Sequence, residues 1–348
     1  MKHTKKTDVL FLLKKANLYG AYTTTKNSGL HNAVNILKNE LEKEYRIEAA
    51  LEICVDANEI DKYVHKYKPN FCIIEALWVT PAKMEEICKL HRGVVFITRI
   101  HSRIPFLAQE GNAFNWLKEM NKFPNSYVSF NNYETNEDFI KIGLSDSVYL
   151  PNVYKKVEWV PSTSDRICDY NKKNHIHKHV NISCFGSIRP LKNQLIQAVA
   201  AMEYANKNGL ILNFHINGTR MEQKGDSVLK NLRGLFKDTH HRLIEHKWLD
   251  PLEFNALIRQ MDAGMQVSFT ESFNIVTADT IYNKIPVVVS EDISWVNKDS
   301  RVRNENSVNE MVDKLENVIK YTKRNAEANL VALDLYNKKA LKEWSILF

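Results

Sequence analysis

Two carboxylates bracket a short helical stretch in SFTESFNIVTADTIYNKIPVVVS (268–290): Glu271 just ahead of it and Asp279 eight positions on. From Phe273 to Asn283, Ile275, Ala278, Ile281 and Tyr282 recur on one face at helical spacing. The β-branched run from Ile285 to Val289 then predicts a buried parallel strand. A helix N-terminus carries unpaired N–H groups and partial positive charge, which suits a diphosphate. Glu271, in the loop ahead, would repel phosphate but accept hydrogen bonds from sugar hydroxyls. Asp279, about two turns along, is placed for another hydroxylated group such as a ribose. Sugar, diphosphate and ribose in a row describe a nucleotide-sugar. By itself the stretch is better described as an ordinary αβ unit, with Glu271 a first-turn charge and Asp279 on a solvated face.

Cations stand upstream. Arg189 and Lys192 lie in GSIRPLKNQ, after a predicted strand at Val180 to Phe185. Loops at the carboxyl ends of strands are where open α/β sheets bind ligands. Arginine offers a fork to phosphate oxygens and lysine a point charge. As mere solvated cations they would oppose the dipole of the helix that follows, which favours the functional reading. No glycines sit in GxGxxG spacing and no Walker A sequence occurs. No Asp-x-Asp pair is present to chelate a metal to a diphosphate. No metal and no cofactor are therefore expected, and charge on a leaving diphosphate falls to side chains and helix ends.

Alternating strand and helix patterns must position these groups. Strands are predicted at Asp8 to Lys14, Arg46 to Val55, Phe71 to Leu77, Gly93 to Ile100, Ser126 to Phe130 and Ser147 to Leu150. Between them, Leu30, Ala33, Val34, Leu37 and Leu41 mark one helix face, further helices cover Ala57 to Lys68 and Glu134 to Ile142, and Thr80-Pro81 opens another. A second series begins at His179, with strands at Val180 to Phe185, Leu210 to Ile216, Leu243 to Glu245 and Ala263 to Val267. Its helices cover Asn193 to Ala205, a capped start at Asp250-Pro251, Ser307 to Arg324, and a last one from Ala326. The expected class is α/β: two doubly wound, Rossmann-like domains with a cleft between them. The boundaries read as 1–155, a polar linker at 156–178, 179–325, and a C-terminal helix at 326–348 packing back on the first domain. His175, His177 and His179 alternate in HIHKH and on an extended segment would face one way; without a matching Cys or acidic cluster they read as a solvated run.

At 348 residues, with 44% hydrophobic and 26% charged residues, the chain suits two globular domains. No apolar run reaches the roughly 18 residues of a spanning helix. Five unpaired-looking cysteines, several in strand-like runs, fit a reducing cytoplasm. The net charge of +7 permits an anionic partner, but its spread weakens the case for a dedicated nucleic-acid face. Oligomeric state is not written in these features.

FGSIRPLKN, HING, the loop at Lys247-Trp248-Leu249, and ESFNIVTAD followed by IPVVVS together resemble the retaining, GT-B-fold glycosyltransferases of the family 4 type. The likeness covers roughly 180–295. In the first domain it is confined to SGLHNAVNILKNEL, the strand ending at His101, and YLPNVY. It implies transfer of a sugar from a nucleoside-diphosphate sugar, UDP-sugar foremost, to a hydroxyl acceptor. By position, Gly186 and Lys192 match the family's glycine and phosphate-binding lysine. The arginine after that glycine is Ser187 here, with Arg189 as the available substitute. Glu271 matches the acid that contacts the donor sugar; Phe273, Asn274 and Ile275 match the backbone cradle of the diphosphate. Asp279 stands where a ribose-binding glutamate belongs. Ser28-Gly29 matches a Gly-Gly loop, His101 the histidine reaching the sugar, and Trp248 the nucleobase loop, with Gly218 in HING on the donor side. An inverting enzyme would need a base in the first domain, for which His101 and His31 are available.

The acceptor is expected against first-domain loops holding Lys15, Tyr22, Arg99 and Arg103. Cations among aromatics suit an unstacked base with its phosphates, and tyrosines also stack on sugar rings. Lys/Asn-rich usage and CFGSIRPLKN resemble phage-encoded glycosyltransferases, some of which modify hydroxymethylated pyrimidines in DNA. DNA is therefore one expected acceptor and an envelope or soluble glycan another. A protein that binds a nucleotide-sugar or nucleic acid without turnover is the reading from a different class.

Overall fold

The computed structural model describes residues 7–15, 29–144, 146–154 and 179–348. The predicted linker, His175, His177, Ser28 and Tyr22 lie outside them. The chain divides into two units, 1–157 together with 337–348, and 158–336.

In the first unit the order is β1 (Val9–Lys14), α1 (Gly29–Tyr45), β2 (Ala49–Cys54), α2 (Glu59–Tyr67), β3 (Phe71–Glu75), α3 (Pro81–Leu90), β4 (Val95–Ile100), α4 (Ile104–Leu107), α5 (Ala113–Met120), β5 (Ser126–Phe130), α6 (Tyr133–Lys141) and β6 (Val148–Tyr149). The six strands form one sheet in the order β2-β1-β3-β4-β5-β6. Each pairing is parallel. The apolar run VLFLL makes β1 an interior strand, buried along all but its last residue. Helix α1 buries Ala33, Val34, Leu37 and Leu41, the face its spacing predicts. The Thr80 side chain caps α3 by accepting from the Lys83 N–H, with Pro81 at the first helical position.

The second unit runs β7 (His179–Ser183), α7 (Gln194–Lys207), β8 (Ile211–Asn217), α8 (Gly225–Phe236), β9 (Arg242–His246), α9 (Pro251–Ile258), β10 (Ala263–Gln266), α10 (Ile275–Tyr282), β11 (Val287–Ser290), β12 (Arg301–Val302), α11 (Val308–Lys320) and α12 (Thr322–Trp344). Its parallel sheet is ordered β12-β11-β10-β7-β8-β9. Chain order reverses between β7 and β10, so crossover connections leave opposite ways there and their loops splay apart. Asp250 and Glu253 form a reciprocal capping box at the start of α9. Residues 337–348, the end of α12 included, belong to the first unit. There Trp344 is fully buried, 6.3 Å from the Phe11 ring, and donates from Nε1 to the Pro151 carbonyl.

Helices α4, α5 and α8 and strand β12 lie where the sequence predicts none. Helix α10 starts at Ile275 rather than Phe273, because the Asn274 side chain accepts the Thr277 N–H and ends the loop there. The described cysteines, Cys54, Cys72, Cys88 and Cys184, are buried free thiols.

Candidate functional site

In the second unit, the loops that follow β7 and β10 flank the reversal point and are stitched together. A single 3-10 turn, Pro190–Lys192, ends at Asn193 in the left-handed region, φ 55°. From there Asn193 Nδ2 donates to the carbonyls of Val267 (3.1 Å) and Glu305 (2.8 Å). Buried Gln197, one turn into α7, donates to the Lys192 carbonyl and accepts from the Val267 N–H, each at 2.8 Å. The Phe269 N–H completes the seam on the Leu191 carbonyl, 3.0 Å. These bonds bring Lys192 Nζ onto the Glu271 carboxylate in an ion pair whose side chains are 11% and 8% exposed. The Glu271 N–H donates to Asp292 Oδ2, 3.1 Å.

Gly186 closes the loop after β7. Its φ of +111° disfavours any side chain, and its N–H donates to Asn217 Oδ1 at 2.8 Å. A Cβ built there would sit 4.0 Å from Lys192 Cε, so bare backbone lines the lysine stem. Opposite, Asn274 takes φ 61° and donates from Nδ2 to Gln266 Oε1 (2.9 Å), whose own Nε2 donates to the Phe185 carbonyl (2.9 Å). The start of α10, with Ile275 as its first residue, is thereby fixed beside Glu271. Its leading N–H groups have no intrahelical acceptor, as at any helix start. The Phe273 ring turns into the core against Trp295 (5.3 Å) and Tyr336 (5.4 Å), and its carbonyl accepts from Trp295 Nε1. Asp279 is half-buried within α10.

Arg189 belongs to a neighbouring cluster. Its guanidinium lies 3.5 Å from Glu222, which also receives Arg220 Nε at 2.7 Å, and Arg220 covers the Trp248 ring at 4.6 Å. Trp248 is half-buried, its N–H donating to Thr219 Oγ1 at 3.0 Å. Gly218 is buried after β8, its N–H on the His246 carbonyl. Beneath this cluster the rings of His215 and His246 stack at 5.2 Å with Nδ1 and Nε2 2.9 Å apart. Burial, with His246 adding to it, pulls His215 down to about 4. Cys184 is no nucleophile, since burial pushes its thiol up to about 12.

The first unit corrects one expectation. Arg99, expected on the acceptor side, is wholly buried. Parallel register sets it beside Glu75, and Nη1 reaches both carboxylate oxygens at 3.3 and 3.1 Å. Its Nε donates to the Leu150 carbonyl at 2.8 Å, Nη2 to Asn152, and the guanidinium lies 5.3 Å from the Trp344 ring centroid. A guanidinium this completely satisfied is structural, because a buried charge persists only when paired. Burial alone would raise the Glu75 carboxyl, but Arg99 and His101 hold it below its ordinary value. His101 stands just beyond β4, Nε2 on Glu75 and Nδ1 receiving Asn131 Nδ2 at 3.3 Å. Burial lowers its pKa, Glu75 opposes and Arg99 assists, with a net value below the usual one. With Asn131 Nδ2 donating to Nδ1, the ring donates to Glu75 from Nε2.

Lys15 is exposed just past β1, its N–H on the Cys54 carbonyl. Arg103 is half-buried at the cap of α4, and Gly29 is the first residue of α1. The structure thus joins Gly186, Lys192, Glu271, Asn274 and Ile275 into one group, and Arg189, Gly218 and Trp248 into an adjoining one. Gln197, Asn217, Asp292 and Glu75 were not singled out from sequence. Asn217 sits inside HING, and Glu75, an acid closing an apolar strand, carried a readable signal. Gln197 showed none.

Two parallel six-stranded sheets of this topology define the α/β, GT-B Rossmann-like class. No protein-family model matches the chain, and no curated protein matches it. Solved structures of that class do. The N-terminal domain of Candida albicans trehalose-6-phosphate phosphatase aligns with a TM-score of 0.68 at 10% identity, over 99% of this chain and 97% of that one. Anabaena HepE in complex with UDP and glucose aligns at 0.65 and 15% identity, over 97% and 99%. A UDP-forming α,α-trehalose-phosphate synthase from Burkholderia vietnamiensis aligns at 0.65 and 9% identity, over 99% and 97%. No helix among the described residues is long and apolar enough to cross a membrane.

Proposed function

We propose that this chain is a nucleotide-sugar-dependent glycosyltransferase of the family 4 type, transferring a sugar with retention to a hydroxyl acceptor. The observation that carries it is the ion pair of Lys192 and Glu271, held between the loops of β7 and β10 beside the start of α10. Lys192 and the α10 N–H groups would take the diphosphate, Glu271 the sugar hydroxyls, and Asp279 the ribose. The Arg220–Trp248 cluster offers a flat cationic and aromatic surface to the nucleobase, with Arg189 between it and the diphosphate.

In this reaction the acceptor oxygen forms the new glycosidic bond as the bond from the anomeric carbon to the leaving phosphate breaks. The departing phosphate oxygen takes the acceptor's proton on the same face. The protein contributes positioning and charge stabilisation. His101 supports retention over inversion: a half-buried imidazole with both nitrogens already engaged makes a poor base. HepE is held in complex with UDP and glucose and the trehalose-phosphate synthase is UDP-forming, so UDP-glucose is the first donor to test.

For the acceptor we favour a hydroxymethylated pyrimidine of DNA. The sequence likeness to phage enzymes and the cations Lys15 and Arg103 support it, and the net charge of +7 permits it. Labelled UDP-glucose should transfer to hydroxymethylcytosine DNA; transfer to oligosaccharides only would replace DNA by a glycan. Lys192→Ala should lower turnover by orders of magnitude with its circular dichroism unchanged, and near-normal turnover would refute the phosphate role. Tight UDP-glucose binding with no transfer or hydrolysis on any acceptor would mean a binding protein.

A further inference from the structure

Asp61, His65 and His91 gather on the first unit. Asp61 and His65 are four residues apart on α2, which puts them on one helix face one turn from each other. His91 is the residue that ends α3. Its ring is 10% exposed, its N–H donates to the Ile87 carbonyl, and its carbonyl accepts from Val94 N–H and Asn125 Nδ2. Backbone and ring are therefore both fixed. Asp61 Oδ1 lies 2.8 Å from His91 Nε2 and 3.1 Å from His65 Nδ1. The three ligand atoms all fall within 4.8 Å of one another. The rings meet edge to face with centroids 4.9 Å apart.

The charge balance fits a cation. The lysines on the same helix turn to other carboxylates, Lys62 to Glu59 and Lys66 to Glu52. Asp61 is thus left facing imidazoles. One carboxylate and two neutral imidazoles make a set of net charge −1 with borderline donors, which suits a first-row divalent ion in tetrahedral geometry with water in the fourth position. A regular metal–ligand length of about 2.0–2.2 Å separates tetrahedral ligand atoms by roughly 3.3–3.6 Å, so the 2.8 and 3.1 Å contacts must open by roughly 0.2–0.8 Å to admit an ion. His65 Nδ1 also lies 3.0 Å from the Asp61 carbonyl, a contact that binding would exchange for the metal.

We propose that Asp61, His65 and His91 form a zinc site that ties the start of α2 to the end of α3. The ion would act as a structural clasp, separate from glycosyl transfer.

The test uses the full chain without a histidine tag, stripped with EDTA and titrated with zinc chloride by calorimetry. Cobalt chloride serves as the spectroscopic probe. One zinc per chain is expected, with a visible tetrahedral Co2+ band and a rise in unfolding temperature. Removing an outer partner alone costs on the order of 10–100-fold in metal affinity, and losing a ligand costs no less. His91→Ala and Asp61→Asn should each weaken binding by at least that factor and abolish the band. If His91→Ala misfolds, His65→Ala decides, because its ring is 69% exposed and makes little packing. Absence of zinc binding at micromolar concentration, or undiminished binding in His65→Ala and Asp61→Asn, would overturn the site.

Discussion

Lys192 and Glu271 neutralise each other, so a diphosphate reaching the lysine must share it with a carboxylate. On the proposed assignment, Glu271→Gln removes that competition and leaves the sugar hydroxyls a neutral, weaker acceptor. UDP should bind the variant more tightly than the parent in calorimetry, by several-fold, while transfer from UDP-glucose falls by at least tenfold; the opposite ordering would break the division of labour between the two side chains. The pair also has a structural share, since breaking a buried ion pair by removing one partner costs about 3–5 kcal/mol. His215 makes a different kind of demand. Its pKa falls from 6.5 in the unfolded chain to about 4 in the folded one, because burial beside His246 opposes charge. The unfolded chain therefore takes the proton first as pH drops. Stability from the neutral ring is complete above about pH 6.5, declines through the interval, and levels off below about 4. By pH 5 the loss is about 2 kcal/mol. Unfolding free energies from urea titrations at pH 7.5 and 5 should diverge less in His215→Gln than in the parent, by that amount; an equal divergence would remove His215 as its source.

The loops on either side of the second sheet's reversal are placed by elements that press on them closely. Gly225 opens α8, and a Cβ there would lie 2.0 Å from the Ile188 carbonyl oxygen, one residue before Arg189. That oxygen already accepts the Glu222 N–H at 2.9 Å, so the contact is backbone against backbone and cannot be relieved by a rotamer. Gly225→Ala should cost more than about 2 kcal/mol and weaken UDP binding through the displaced Arg189 loop, measured by thermal shift with and without UDP. Helix α8 escaped the sequence reading although Leu229, Leu232 and Phe236 recur at helical spacing, because MEQKGDS and a second glycine at Gly234 read as loop. Helix α1 and the capping box of α9 were legible, since both signals lie within one turn or one face. The group around Lys192 was legible as residue types in two loops. Its closure by Gln197 was not, because that glutamine bonds residues 5 and 70 positions away. Arg99 misled for the same reason: a cation near the end of an apolar strand reads as exposed until parallel register sets Glu75 beside it. Phe273 likewise reads as the start of the helix, whereas it precedes α10 and its ring packs against Trp295 and Tyr336.

At the scale of the molecule, two sheets each carry their own core, and the chain's last residues return to the first of them. Trp344 fills that core with its whole side chain, sits over the Arg99 guanidinium, and spends its one donor on Pro151. Cutting a buried tryptophan to alanine costs about 3–5 kcal/mol through lost contacts and the cavity left behind. Here the cavity opens beside Arg99, whose pairing with Glu75 in turn holds His101. The damage from Trp344→Ala should therefore be regional. Amides of β1, β3 and β4 should exchange faster, while those of β7, β8 and β10 keep their protection, because stability is distributed by cooperative unit. If the donor is held by Lys192, Glu271 and the start of α10, the dissociation constant for UDP should stay within about twofold of the parent, a change of under about 0.5 kcal/mol. Transfer should fall along with the first unit's order. Weakened UDP binding at unchanged second-unit protection would overturn the assignment of the donor site to the second sheet. Uniform loss of protection in both sheets would show instead that the two cores unfold as one.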